Sequence, residues 1–282
     1  MIGNLTLLYS KLSVHWVGEN VLLYRVLSAL AGIPLIVLAV WHGGAALIIL
    51  TGLIILLGMR EMTDMLARLK IRPSIWLASA GGLILAGGAY LYNDGYPGPT
   101  ITIILFLHLI AAVAFYPKYS LLDAAGTLMG TLYVGLLIYL YLLRTLPDGW
   151  IWLIFMLAGT WAADTSAYFV GRAFGRRKVA PVLSPKKTLE GLIGGICGTI
   201  GVAYVFALIY PFLPLVKMLI LGLLVGAAAF VGDLMESAFK RQAGVKDAGS
   251  LIPGHGGILD RFDSALFTAP LVYYYVLLLI IV

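Results

Sequence analysis

Charge is what this chain has least of. Only 11% of its 282 residues are charged, against about 25% in ordinary soluble domains. A water-soluble fold has nowhere to put the 61% that are hydrophobic. A single cysteine excludes an internal disulfide framework and a cysteine-rich metal cluster. Low-complexity linkers and internal repeats are missing, which argues against a string of modules and against a repeat-built transporter. The opening residues lack the pattern of a cleavable signal peptide, because Lys11, His15, Glu19 and Asn20 interrupt them.

What remains is apolar sequence in long blocks. Nine segments stand out, at about 22 to 41, 43 to 59, 74 to 92, 99 to 116, 124 to 143, 150 to 170, 189 to 211, 215 to 238 and 264 to 282. Most are near the roughly 20 residues that cross a bilayer core as a helix. The runs are continuous rather than alternating, so the lipid's lack of hydrogen-bonding partners selects helices over a barrel. The expected fold is all-α, a polytopic bundle of about nine transmembrane helices. Leu5, Leu8, Leu12 and Trp16 recur at helical spacing, so residues 1–21 are expected to form a helix lying in the interface. Residues 22–143 would form about five N-terminal spans and 144–282 a C-terminal region of about four.

Net charge is +6, and its placement speaks for a membrane rather than nucleic acid. Seventeen Lys and Arg fall on one side of the nine segments and only Arg144 and Lys217 on the other. The positive-inside rule then puts the N-terminus and the basic loops in the cytoplasm. The first five segments hold no acidic residue in an apolar interior, so the C-terminal region is where chemistry is expected.

An ionisable residue in a span is costly to insert and normally faces a partner or water. Asp164 is one case, although it could simply bond nearby Thr or Ser hydroxyls. In Gly232-Asp-Leu-Met-Glu-Ser-Ala-Phe-Lys-Arg241, helical spacing puts Asp233, Glu236, Ser237 and Lys240 on one face. A plain Glu236–Lys240 pair is the simplest alternative there. Next comes the loop Lys246-Asp-Ala-Gly-Ser-Leu-Ile-Pro-Gly-His-Gly-Gly-Ile-Leu-Asp-Arg-Phe-Asp263. Its Asp260 and Asp263, one helical turn apart, suit Mg²⁺ shared with substrate phosphates. Gly254, Gly256 and Gly257 would let backbone N–H groups approach phosphate oxygens. Lys240, Arg241, Lys246 and Arg261 supply the opposite charge that anionic substrates need. His255 either touches substrate or holds the loop. Upstream, Arg172, Arg176, Arg177, Lys178, Ser184, Lys186 and Lys187 precede the seventh segment, with Thr188 as its expected cap; anionic lipid headgroups alone would also explain them. The small residues of Gly194-Gly-Ile-Cys-Gly198 point to close helix packing rather than to a reactive Cys197.

The stretch 237–263 resembles the signature of the CDP-diacylglycerol synthase, or phosphatidate cytidylyltransferase, family. The matching residues are Ser237, Phe239-Lys-Arg241, Lys246-Asp247, Gly249, Ile252-Pro253, His255-Gly-Gly-Ile258 and Asp260-Arg-Phe-Asp263. Asp164-Thr-Ser-Ala-Tyr168, Gly171-Arg172, Ser184-Pro-Lys-Lys-Thr188 and Glu190-Gly191 look similar to that family too. The resemblance implies an Mg²⁺-dependent nucleotidyltransferase of phospholipid biosynthesis that transfers CMP from CTP to phosphatidate and releases pyrophosphate. It further implies a homodimer in the cytoplasmic (inner) membrane, with the active site on the cytoplasmic side and a monovalent cation such as K⁺ as a further requirement. Asp233, Asp260, Lys246 and Asp263 are then the expected catalytic residues, and Asp233, Asp260, Glu236 and Asp263 the expected metal ligands. Asp164, Arg172, Ser184, Lys186, Lys187, Thr188, Lys240, Arg241, Asp247, His255, Gly256, Gly257 and Arg261 are expected to bind substrate. Without the resemblance, a CTP-dependent polyprenol kinase or a cation-coupled transporter would remain open. A CDP-alcohol phosphotransferase would not, because its Asp-x-x-Asp-Gly opening is missing.

Overall fold

The computed structural model describes residues 32, 34–92, 97–251 and 256–281. The expected interfacial helix at 1–21, most of the first expected span and His255 lie outside the described residues. Residues 34–42 are helical. The chain then forms α1 (Gly44–Arg68), α2 (Ile75–Tyr92), α3 (Pro97–Ala114), α4 (Leu121–Gly135), α5 (Tyr139–Thr145), α6 (Gly149–Phe174), α7 (Leu189–Ile209), α8 (Leu215–Gln242), α9 (Leu259–Phe262) and α10 (Ala265–Tyr275). A 3₁₀ turn, Leu136–Ile138, joins α4 to α5, and a π-turn, Val276–Ile280, follows α10. No strand occurs among the described residues. An isolated bridge between Lys178 and Thr188 closes the basic loop.

Six helices are long and apolar enough to span a bilayer: Gly44–Arg68, Ile75–Tyr92, Leu121–Thr145, Gly149–Phe174, Leu189–Ile209 and Leu215–Gln242. Gly98–Ala114 and Ala265–Ile280 are shorter apolar helices. All eight coincide with segments expected from the sequence, and many of their large apolar residues, Trp76, Ile110 and Val113 among them, point outward. Outward apolar faces suit hydrocarbon as solvent, and the protein is an all-α integral membrane protein. The largest boundary difference is α1, which continues nine residues past the expected end at 59 because Met62, Met65 and Leu66 keep its inner face buried.

Local polar contacts fix the helix ends. Ser120 and Asp123 form a reciprocal capping box at the start of α4, and Asp123 also accepts the Arg72 N–H at 2.7 Å, which pins the loop from α1 to α2. On the expected outer side, Arg144 donates to the Val40 carbonyl at 3.1 Å. Buried Ile55, Met59, Met62 and Leu66 of α1 join Val134 and Leu137 of the α4 segment in a core that continues through Val225 of α8 and Leu266 of α10.

The helices α6 to α8 of the C-terminal region pack through small residues, because lipid offers no hydrophobic gain for association and close van der Waals contact must supply it. α7 lies against α6 along Gly191, Gly194, Gly195 and Gly198, and α8 lies against α7 at Gly222 and Gly226. A Cβ on Gly226 would fall 2.6 Å from Thr199 Oγ1 and 2.8 Å from Ile196 Cα, whereas one on Gly201 would meet nothing within 4 Å. Gly226→Val is therefore expected to cost about 1–3 kcal/mol of stability by overpacking, and Gly201→Ala to be neutral or slightly stabilising. Thermal unfolding midpoints in detergent check the pair.

Candidate active site

α8 brings Asp233 and Glu236 to the site. Gly232 is the reason they can meet the loop: a Cβ there would sit 2.6 Å from the Asp263 carbonyl oxygen and 3.0 Å from Ser264 Cα. Without that Cβ the backbone of 263–264 lies directly on α8, and the Ser264 hydroxyl donates to the Ala229 carbonyl at 3.2 Å. One carboxylate oxygen from each of Asp233, Glu236 and Asp263 then falls within 4.8 Å of the others. Three carboxylates this close repel unless a cation joins them. The donor set is all oxygen, which suits a hard divalent ion such as Mg²⁺.

Lysines complete the cluster. Lys187, delivered by the basic loop, stands 2.5 Å from Asp233 and over the Phe230 ring at 5.2 Å. Lys240 bridges Glu236 and Asp260, 2.8 Å from the latter, so the simple Glu236–Lys240 pair is part of a larger network. Asp260 uses its other oxygen to accept the N–H groups of Ala248 at 2.9 Å and Gly257 at 2.8 Å. Burial raises the Asp260 carboxyl, but Lys240 and the Gly257 N–H outweigh it and hold the group below the usual carboxylate range. Asp263 goes the other way. Burial first, and then the Asp233 charge, push it up to about 6.

Above this floor lies a cavity of about 720 Å³. Asp164, Arg172, Ser184, Lys186, Lys187, Thr188, Asp233, Asp260, Arg261 and Asp263 all line it. The basic loop is held in place by backbone chemistry. Thr188 caps α7 by accepting the Gly191 N–H at 3.1 Å, as expected, and Glu190 accepts the N–H groups of Arg176 and Arg177. A second chamber of about 270 Å³, mostly apolar, is lined by Ile36, Leu47, Leu50, Leu153 and Leu157. It shares Trp161, Asp164, Arg261 and Asp263 with the first.

Several expected site residues lie elsewhere. Arg241 donates to the Leu183 and Val245 carbonyls and so ties the two loops together. Lys246 and Asp247 are exposed and outside the cavity wall. Gly256 and Gly257 also stand behind the wall, and the Gly257 N–H is already committed to Asp260. Two residues of the N-terminal helices were not expected at all. Tyr133 of α4 buries its hydroxyl without a partner among the described residues, within the field of Glu236 and Asp263. Glu61 of α1, 7% exposed, accepts the N–H groups of Ile258 and Leu259. Glu61 lies just past the expected segment end at 59, and because α1 runs on to Arg68 it carries into the core a buried acid that the expected bounds leave out.

Breaking a buried pair from one side leaves an uncompensated charge. Lys240→Met is expected to lower stability by about 3–5 kcal/mol, and adding Glu236→Gln to recover part of it. Thermal unfolding of the two variants in detergent tests this.

Comparison with known proteins agrees with the signature loop. The profile of a family described as the cytidylyltransferase family matches residues 23–279. The chain is 34% identical over 252 residues to a protein of Staphylococcus haemolyticus named phosphatidate cytidylyltransferase, covering 88% of this chain and 96% of that one. It is 36% identical over 295 residues to a protein of the same name from Synechocystis sp., covering 91% and 97%.

Proposed function

The chain belongs to the cytidylyltransferase family, and we propose on that premise that its two joined chambers bring CTP from water and phosphatidate from lipid to one carboxylate cluster. It is a nucleotidyltransferase, a phosphatidate cytidylyltransferase that makes CDP-diacylglycerol and pyrophosphate. The observation that carries the division of labour is the meeting of a polar cavity and an apolar one at Asp164, Arg261 and Asp263.

In the reaction a phosphate oxygen of phosphatidate attacks the α-phosphorus of CTP. The new P–O bond forms as the bond to the β-phosphate oxygen breaks, and pyrophosphate leaves. No covalent nucleophile from the protein is needed, since the lipid carries one. Lys186, Lys187 and Arg172 are suited to the triphosphate charge and Arg261, at the junction, to the lipid phosphate. Holding the two phosphates in line supplies much of the rate. Acyl chains are suited to the chamber lined by Leu47, Leu50, Leu153 and Leu157, whose contacts are apolar.

The Asp233, Glu236 and Asp263 oxygens fit Mg²⁺, with Asp260 supporting them through Lys240. When bound, the ion would neutralise charge on the α-phosphate and the departing pyrophosphate. The basic side of the chain, seventeen Lys and Arg against two, supports a cytoplasmic active site in the inner membrane. A homodimer and a K⁺ requirement belong to the same proposal through the family resemblance.

Asp233→Asn and Asp263→Asn should each lower CTP- and phosphatidate-dependent pyrophosphate release by roughly 10²- to 10³-fold, the scale of several kcal/mol of lost charge stabilisation. Turnover by both variants at the unaltered rate would remove the cluster from the reaction. A pH profile gives a second check. Protonation removes the Asp263 charge, so activity at limiting Mg²⁺ should fall as pH drops through about 6, and more Mg²⁺ should move that limb to lower pH by competing with the proton. A profile flat from pH 8 to 5 contradicts the assignment.

A further inference from the structure

Glu61 and the signature loop are far apart in sequence and interlocked in space. One Glu61 oxygen accepts the Ile258 N–H at 2.8 Å and the other accepts the Leu259 N–H at 2.9 Å, across 197 and 198 residues. Ile258 and Leu259 open α9, where backbone N–H groups lack intrahelical partners. α9 carries Asp260 and Arg261 and leads straight to Asp263. Asp260 in turn accepts the Ala248 and Gly257 N–H groups. Two carboxylates from opposite ends of the chain therefore satisfy four backbone donors of one loop.

The fit leaves no slack. A Cβ on Gly257 would lie 2.6 Å from both Glu61 carboxylate oxygens, and one on Gly249 would lie 2.5 Å from Oε1. One turn earlier on α1, a Cβ on Gly58 would be 3.2 Å from Leu259, which is fully buried. Nothing in α1 itself calls for an acid at this place, since Met59, Met62, Met65 and Leu66 around it are buried and apolar. Burying a carboxylate among them is costly unless its oxygens are satisfied, and the loop satisfies them. Glu61 is absent from the walls of both chambers at the junction, whereas Asp263 and Arg261 line both. It can reach the reaction only through the backbone it holds.

We propose that Glu61 is a positioning residue for cytidylyl transfer, contributed by the N-terminal helices: its carboxylate fixes the backbone of 257–259 and so sets Asp260 and Asp263 against Asp233 and Glu236. This rests on the reading of that cluster as the reacting centre. It also gives Gly249 and Gly257 a role, which is to make room for an internal carboxylate rather than for a substrate phosphate.

The test uses the full chain in detergent–phosphatidate micelles, with Glu61→Gln, Glu61→Asp, Gly257→Ala and the double variant Glu61→Asp/Gly257→Ala. kcat and the KM for CTP are measured per folded molecule, together with amide hydrogen exchange over 256–263. Glu61→Gln should lower kcat roughly 10- to 100-fold, as loss of such supporting contacts generally does, and leave the CTP KM within about twofold, since transition-state placement and not substrate binding is lost. Exchange in the loop should quicken. Aspartate keeps the charge but is one methylene shorter, so the double variant should be more active than Gly257→Ala alone. Unchanged kcat per folded molecule in Glu61→Gln, or a double variant no better than Gly257→Ala, overturns the proposal. If the unaltered chain shows no CTP turnover, the reading of the reaction falls, and loop exchange in Glu61→Gln still decides the anchor: exchange as slow as in the unaltered chain overturns it.

Discussion

A carboxylate inside a membrane bundle has no bulk water to solvate it, and this site brings together several. Every one must therefore be answered by a cation or by backbone N–H groups supplied from elsewhere in the fold. The arrangement of α8, the signature loop, the basic loop and α1 follows from that requirement. Lys187 answers Asp233, Lys240 answers Glu236 and Asp260 together, and loop N–H groups answer Asp260 and Glu61. Asp233, Glu236, Asp260 and Asp263 outnumber the two lysines that contact them by two negative charges. On the proposed reading, that surplus is the room kept for a divalent ion, and burial together with the neighbouring Asp233 charge is why Asp263 holds its proton above the ordinary carboxylate range.

The close packing of α6, α7 and α8 serves the same end. Glycine seams let the backbones approach until Thr188 at the start of α7 lies beside Gly171 of α6 and Gly175 just beyond it. The basic loop between those helices is closed by the Lys178–Thr188 bridge and held by Glu190. A loop tied internally in this way puts Lys187 on Asp233 with less conformational freedom to lose on binding a triphosphate. A longer and freer loop with the same lysines would attract phosphate but would not place it.

Much of this was legible in the sequence because the membrane imposes a simple grammar. Continuous apolar runs gave the helices, and helical spacing put Asp233, Glu236 and Lys240 on one face. The short separation of Asp260 and Asp263 placed both at the start of the last helix. The resemblance of 237–263 to a known signature supplied the chemistry that spacing alone could not. Failures came where direction or distance mattered. Lys246 and Asp247 sit in the right loop but outside the cavity wall, and spacing in a loop does not fix side-chain position. Glu61 escaped notice because, between Arg60 and Asp64, it reads as an ordinary polar helix end. Only a contact across 197 residues distinguishes it. The clue available in advance was the glycine content of the loop, Gly249 and Gly257 included, which signals a close approach without saying by what.

On the proposed reading, the two chambers give a reason for such an anchor in a reaction between a lipid and a nucleotide. CTP brings several negative charges and needs a wet, basic cavity, while acyl chains need a dry one, so the reacting atoms can meet only at a boundary. That boundary here is a few side chains wide, Trp161, Asp164, Arg261 and Asp263, and two of the four belong to the α9–α10 segment. A small tilt of that segment would move Arg261 and Asp263 together relative to Asp233 on α8, opening the carboxylate cluster and misaligning the junction at once. Anchoring α9 from α1, outside both chambers, fixes it without placing another charge where the phosphates must pass. The N-terminal helices, whose sequence alone is not diagnostic of the family, then act as more than a membrane wall: they hold the backbone on which the reacting centre is mounted.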